Sequence, residues 1–335
     1  MTSRIPELDV LRCIGLLGII LAHVDPPQLI FQLRNFDVPL MVFLSGYLFS
    51  HRLLAINSFK AFTDYLLKRF VRLVVPVWIF LTLFYSIQYF YPAIFPINYT
   101  AYPQVMLSSY LLWEGFGYVW VIRIFLFMAI LGPIFARYFR SFGAVIAFYA
   151  VYELLCWMLP QVFTTAVYSG WNKGLLYTLG FLILFIWGSW YPRLQRKTQL
   201  LVAVFSFFVL SAGFIYTVLL AKMPFDIGSY KYPPHLYYMH YAILLITLLF
   251  SLKKYLARLY NPFVGFIGSS TIWIYLWHIL WLLLLPNETW YYRFMLVFGL
   301  ACFTTYIQQQ FVLSLIRWFS LPKKVSDQLL IIFNS

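Results

Sequence analysis

Apolar residues along this chain fall in long continuous runs rather than in alternation. Ten windows read as membrane helices: 8–25, 36–54, 72–92, 117–137, 142–160, 172–191, 199–221, 236–252, 266–286 and 291–316. Each is close to the roughly 20 residues that cross a hydrocarbon core as a helix. A membrane β-barrel would instead show strict apolar/polar alternation over stretches of about ten residues. The pattern predicts an all-α, polytopic membrane helix bundle of about ten transmembrane helices, a single domain over 1–335. Between 93 and 116 a segment rich in Pro, Tyr and aliphatics is expected to include a short interfacial helix.

Composition excludes the soluble classes. Of 335 residues, 63% are hydrophobic and 10% charged, against roughly 45–50% and 25% in an ordinary soluble domain. A soluble globule could not hide that much apolar surface. Cys13, Cys156 and Cys302 each sit inside an apolar run, without the spacing of a zinc site or a disulfide framework, so no metal is expected. The first apolar run carries Asp9 and Arg12, which the apolar region of a cleavable signal peptide would not tolerate.

The net charge of +14 would suit nucleic acid, but its placement explains it better. With the N-terminus in the cytoplasm, the inward segments hold Arg4; Arg52, Lys60, Lys68, Arg69 and Arg72; Arg137 and Arg140; Arg193, Arg196 and Lys197; Lys253, Lys254 and Arg258; and Arg317, Lys323 and Lys324. The outward segments hold Arg34, Lys173, Lys222, Lys231 and Arg293. Seventeen against five is a positive-inside bias, and it predicts both termini in the cytoplasm and no nucleic-acid partner. Trp190-Tyr191 and Trp290-Tyr291-Tyr292 flank spans as interfacial belts do.

Ionisable side chains inside a bilayer are costly, at least roughly 2.5–3.5 kcal/mol for Arg or Asp at a helix centre, and they mark where function lies. Asp9, Arg12, His23, Arg123, Glu153 and His278 are such residues. Arg12 and His23 are eleven positions apart, about three helical turns and roughly 16 Å along one face. Asp9 is one turn before Arg12 and in reach of pairing with it. Arg12 also reads as an anchor that snorkels to the interface, and His23 as a polar residue closing a helix beside Asp25-Pro26. Histidine is the side chain best suited to take a proton near neutral pH. Arg123 needs a partner, with Glu114, Glu153 or a donor phosphate as candidates.

The segment Glu7-Leu8-Asp9-x-Leu11-Arg12, then ten residues, then His23 resembles the opening of membrane acyltransferase family 3, bacterial O-acyltransferases that decorate surface and exported polysaccharides. Further segments resemble that family in order. They are Val38 to Leu48 with Ser45-Gly46, Lys68-Arg69-Phe70-Val71-Arg72 before Pro76, Tyr118-Val119-Trp120 with Tyr118 where the family has His, and Ser270 to His278. The resemblance runs from about residue 4 to 320. It implies transfer of an acyl group, most often acetyl from acetyl-CoA and in relatives succinyl or longer, to a sugar hydroxyl, in the bacterial inner membrane.

On that resemblance the catalytic residues are His23, the general base, with Arg12 and Asp9 on the same helix, Arg12 holding the CoA end of the donor or keeping the acyl path open. Arg69, Arg72, Lys68 and Arg123 are expected to hold the CoA phosphates; positive-inside charge and anionic lipid are the plainer reading of the basic cluster. Ser45, Trp120, His235, Tyr238 and His278 are expected to line the acceptor site, although Ser45-Gly46 equally suits close helix packing and residues 231–240 an aromatic belt. Expected partners are a polysaccharide or lipid-linked glycan and membrane lipids, with a homo-oligomer or a polysaccharide-synthesis complex open. A transporter or flippase for a lipid-linked glycan or small solute is the alternative, and a non-catalytic component of such a complex is a third.

Overall fold

The computed structural model of the chain describes residues 5–333 apart from 52–55, 57, 114, 140, 166–168, 171 and 287. Arg4, Arg52, Glu114 and Arg140 therefore lie outside the described residues, as does the side chain of Lys173. The described chain is helical, and no strand occurs within it. Every one of the ten apolar windows contains a helix, but the lengths differ. Six helices are long and apolar enough to cross a membrane: Phe59–Phe90, Trp120–Tyr138, Phe142–Val162, Gly174–Arg193, Arg196–Leu220 and Trp290–Trp318. The pair Pro262–Ser269 and Thr271–Leu284, bent by 83°, makes a seventh if counted as one span.

The first, second and eighth windows hold helices of 16, 14 and 16 residues. A helix of 16 residues is roughly 24 Å long, less than the hydrocarbon core of about 30 Å. Hydropathy counts apolar turn residues toward a span, whereas backbone geometry stops it. The first helix ends at Leu21, and it does not resume because Asp25 turns left-handed at φ +53° and Pro26 follows. The third window errs the other way. Its helix begins at Phe59, because Lys and Arg propagate a helix well and hydropathy does not register them.

The chain divides into two compact units, Met1–Pro26 with Phe62–Leu126 and Leu259–Ser335, and Pro27–Ala61 with Phe127–Arg258. In the first, helix α1 (Pro6–Leu21) packs on the bent pair. Its other helices include α4 (Phe59–Phe90), almost wholly in this unit, and α5 (Pro103–Tyr110), the expected short helix. The second unit holds α2 (Gln28–Leu33) and α3 (Asp37–Ser50). Helix α6 (Trp120–Tyr138) begins in the first unit and passes into the second. It is followed by α7 (Phe142–Val162), α8 (Tyr177–Trp190), α9 (Arg196–Phe214) and α10 (Leu236–Ser251). The chain then returns to the first unit with α11 (Pro262–Ser269), α12 (Thr271–Leu284), α13 (Trp290–Trp318) and α14 (Lys323–Phe333).

The second unit is built on the contact of α3 with α8. Two glycines make it possible, each three residues from a phenylalanine of its own helix. A Cβ on Gly46 would lie 1.9 Å from the Phe185 carbonyl oxygen, and one on Gly188 would lie 2.2 Å from that of Phe43. The two backbones thus touch where Gly exposes a carbonyl-facing Cα, the small-residue packing that membrane helices use in place of the hydrophobic effect. Ser45 belongs to this contact segment and spends its hydroxyl on the Met41 carbonyl at 3.0 Å. Gly46→Ala is expected to destabilise the protein by about 1–3 kcal/mol through overpacking. Gly299→Ala, with nothing within 4 Å of its Cβ, serves as control. Thermal unfolding in detergent checks both, and equal melting temperatures would show that the contact is not under load.

Candidate active site

The site lies in the first unit and is framed by a break in a helix. α11 ends at Ser269 and α12 starts at Thr271. A helix end leaves its last carbonyls without partners, and here three of them are met. The Ser270 amide donates to the Phe266 and Ile267 carbonyls at 3.0 and 3.1 Å. The Gly268 carbonyl accepts from Arg12 Nη1 at 3.4 Å, and the same nitrogen donates to Asp9 Oδ1 at 3.0 Å. A Cβ on Gly268 would sit 2.7 Å from that of Asp9, so glycine lets α1 come this close. The pairing of Asp9 with Arg12 expected from their spacing is present, and the guanidinium also lies favourably against the C-terminal dipole of α11.

A second arginine secures the far end of α12. Arg293, in the first turn of α13, donates through Nη2 to the Leu282 carbonyl at 3.1 Å and through Nη1 to Asp25 Oδ2 at 3.2 Å. The turn after α1 and the end of α12 are thereby tied together.

Between these ties stand two histidines. His23 lies two residues past the end of α1, and His278 is wholly buried in α12. His23 Nδ1 and His278 Nε2 are 3.1 Å apart. His278 Nδ1 bonds the Tyr275 carbonyl. A carbonyl only accepts, so the neutral His278 ring is assigned its proton on Nδ1. Nε2 of His278 is then the acceptor, and His23 Nδ1–H the donor. That order leaves the lone pair of neutral His23 on Nε2. The rings are stacked, with centroids 5.3 Å apart.

Tyr118 covers His23 from another side, its ring stacked at 3.8 Å and 17°. The loop that carries it is held by sequence-specific contacts. Tyr275 Oη donates to the Tyr118 carbonyl at 2.7 Å, and the Phe116 amide donates to Ser109 Oγ at 2.6 Å. Gly117 has φ +59°, and a Cβ there would lie 2.8 Å from Ile279 Cγ2, so only glycine permits the approach beside His278. Burial raises the Tyr118 phenol above its ordinary pKa, the Asp25 carboxylate adds to that, and Arg293 opposes it. Tyr118 therefore meets His23 as a neutral ring.

The other expected residues are placed as follows. Lys68 is exposed and Arg69 and Arg72 half-buried on α4, with the Arg69 guanidinium 5.3 Å from the Tyr65 ring centroid. Arg123 is buried, donates to the Trp113 carbonyl at 2.9 Å, and lies 4.4 Å over the Trp113 ring. Trp120 opens α6. Glu153, in the second unit, accepts from the Leu236 amide at 2.7 Å and lies 3.6 Å from His235 Nδ1. Tyr238 is wholly buried. The three cysteines are free and buried. His23 and His278, expected in separate roles, thus stand side by side. Tyr118, Tyr275, Asp25 and Arg293 are the residues that sequence reasoning left out of the site. Tyr118 carried a signal, since it occupies a motif position; Asp25 and Arg293 are opposite charges at the ends of two apolar runs, and nothing local links them.

Removing the His278 ring takes away the acceptor that orients His23. His278→Ala is expected to lower turnover about 10²-fold or more, the scale of a positioned base, while His278→Asn, which keeps an acceptor in reach, retains part of it. Steady-state assays of the two variants decide, and equal losses would count against the orienting bond.

Residues 5–316 match the acyltransferase domain of acyltransferase family 3. No curated protein and no solved structure matches the chain.

Proposed function

This chain belongs to acyltransferase family 3, and from that premise we propose that it is a multi-pass inner-membrane enzyme that moves an acetyl group from acetyl-CoA to a hydroxyl of an exported or lipid-linked polysaccharide. The observation that carries the reading is the relay from the Tyr275 carbonyl through His278 to His23. A sugar hydroxyl is a poor nucleophile at neutral pH. A histidine whose Nδ1 proton is engaged by a fixed acceptor presents Nε2 as a base of defined direction, as in the orienting logic of catalytic triads.

The donor supplies an activated thioester carbonyl. His23 Nε2 takes the proton as the sugar oxygen bonds to that carbonyl carbon. The carbon–sulfur bond then breaks, and the proton on His23 passes to the departing sulfur, so that ester and free thiol are formed and the imidazole is neutral again. His278 stabilises the imidazolium between the two steps by accepting from its Nδ1–H. Tyr118 restricts the ring to the plane that serves both.

Arg12 and Asp9 act as positioning residues in this reading. Asp9 holds Arg12, whose bond to the Gly268 carbonyl fixes the corner from which α12 carries His278, two turns on. Lys68, Arg69 and Arg72 hold the CoA phosphates as charge-assisted donors, on the cytoplasmic side, where the positive-inside bias also puts both termini. About ten spans then follow, with the short helices and the bent pair completing the count. Arg123 and Trp120 stand at the start of α6 near the loop that carries Tyr118.

Acetyl-CoA binding to the detergent-purified protein tests this. Saturable binding is expected in the wild type, retained in His23→Ala, and weakened at least about tenfold in the Arg69→Ala/Arg72→Ala double variant, the loss of two charge-assisted contacts. Transfer to acceptor is expected to fall about 10²–10⁴-fold in His23→Ala. Absence of binding by well-folded wild type would overturn the reading in favour of a transporter, and normal turnover in His23→Ala would remove His23 as base.

A further inference from the structure

The end of α4 farthest from its basic turns carries a stripe of hydroxyls that the acyl-transfer steps do not use. Thr82, Tyr85, Ser86 and Tyr89 stand at i, i+3, i+4 and i+7, which is one face of a helix over two turns. Opposite them lie Thr100 and, from α5, Met106 and Tyr110. Between the two walls is an open cleft of about 360 Å³, within the roughly 300–1,000 Å³ of small-molecule sites. No Lys, Arg, His, Asp or Glu is among the described residues that line it.

The second wall is pinned to the helix at two places. Trp78 Nε1 donates to the Tyr110 carbonyl at 2.9 Å. Farther along α4, buried Gln88 donates to the Ile97 carbonyl at 2.7 Å and accepts from the Thr100 amide at 3.1 Å. The two walls are thus tied together before any ligand arrives.

The hydroxyls are of two kinds. Thr82 Oγ1 donates to the Trp78 carbonyl at 2.8 Å, so in its 2.9 Å contact with Tyr110 Oη the phenol is the donor. Tyr110 Oη then has only lone pairs left to offer. Thr100 Oγ1 is in the same state, since its proton goes to Asn98 Oδ1 at 2.6 Å. The Ser86 and Tyr89 hydroxyls make no hydrogen bond within the described residues, and each can donate as well as accept. The Tyr89 ring is 71% exposed.

This set selects against the commoner ligands. An anion would find no cation here, and a metal ion no carboxylate. A lipid chain would cover the hydroxyls and leave them unpaired, which is costly. A sugar ring presents hydroxyls that both donate and accept, and carbon–hydrogen faces that suit an aromatic ring. We propose that the cleft binds a neutral sugar residue of the acceptor glycan, with Ser86, Thr100 and Tyr110 bonded to its hydroxyls and the Tyr89 ring packed against it. That the sugar belongs to the acceptor rests on the acyl-transfer reading; that the ligand is a sugar rests on the cleft alone. Hydrogen bonds link the cleft to the histidine pair. Tyr85, at its back, donates to Ser109 Oγ at 3.0 Å, and the same oxygen accepts from the amide of Phe116, two residues before the Tyr118 that covers His23.

The test uses the full chain in lipid nanodiscs or a polyoxyethylene detergent, because a maltoside headgroup would itself be a ligand. The probes are maltotriose, cellotriose, mannotriose and chitotriose, with trigalacturonate as the charged control. Calorimetry reads each Kd, and acetyl-CoA is titrated separately. Saturable binding of at least one neutral trisaccharide is expected, with trigalacturonate at least about tenfold weaker. Tyr89→Ala is expected to weaken that trisaccharide about tenfold, and Tyr110→Phe about fivefold, the loss of one hydrogen bond. Met295→Ala, exposed on α13, is expected to leave the affinity unchanged, and all three variants to bind acetyl-CoA as the wild type does. Since the Tyr89 hydroxyl is unbonded and its ring exposed, Tyr89→Ala decides even if Tyr110→Phe melts early. Binding of no neutral trisaccharide by well-folded protein, a preference for trigalacturonate, or unchanged affinity in Tyr89→Ala would overturn the cleft. Sugar binding without acetyl-CoA binding would overturn the acyl-transfer reading instead.

Discussion

A helix that breaks within an apolar span exposes carbonyls where no water can meet them, and everything around the histidine pair follows from how this chain meets that demand. The 83° corner between α11 and α12 is closed by the Ser270 amide on one side and by Arg12 on the other. Arg12 in turn needs a counter-charge, and Asp9 supplies it one turn earlier on the same helix. The bond to Gly268 is long at 3.4 Å, and Asp9, only 3% exposed, adds the charge that keeps the guanidinium there. Because Gly268 has no side chain, α1 and α11 come close enough for this to be one structure rather than two.

The corner has a consequence for chemistry. His278 is carried by the short helix that leaves it, and the other end of that helix is held by Arg293, which also grips Asp25 beside the His23 turn. The two rings are therefore located by backbone-anchored elements at both ends, with Tyr118 and Gly117 closing a third side. In the proposed reaction such supports, with His278 itself bonded to a carbonyl, set the direction of the His23 ring before any substrate arrives, which is how proximity and orientation contribute to rate.

The second unit meets a different demand. With lipid as apolar as the side chains, helices gain little from merely burying leucine, and the α3–α8 contact rests on backbone approach at Gly46 and Gly188. In the same unit Arg34 and Asp37, both buried, compensate one another in an ion pair at 2.9 Å.

The sequence by itself determined the class, the helical architecture and which ionisable residues fall inside apolar runs, because continuous apolar runs and misplaced charges are properties of composition and order. The Asp9–Arg12 pair was legible for the same reason, being local to one helix. Motif positions singled out His23 and His278 separately, and positive-inside counting singled out the basic turn before Pro76. Tertiary structure decided what no local pattern records. It brought His278 to His23 across 255 positions, chose the tautomer through the Tyr275 carbonyl, put the corner at Ser270, and set Arg12 against Gly268 instead of open solvent. It also enclosed Tyr238, which an aromatic belt would have left at the interface. Helix ends behaved likewise: hydropathy sums side chains, while a left-handed Asp25 or a charged first turn is a matter of backbone geometry and hydrogen bonds, and those are settled only by what packs against them.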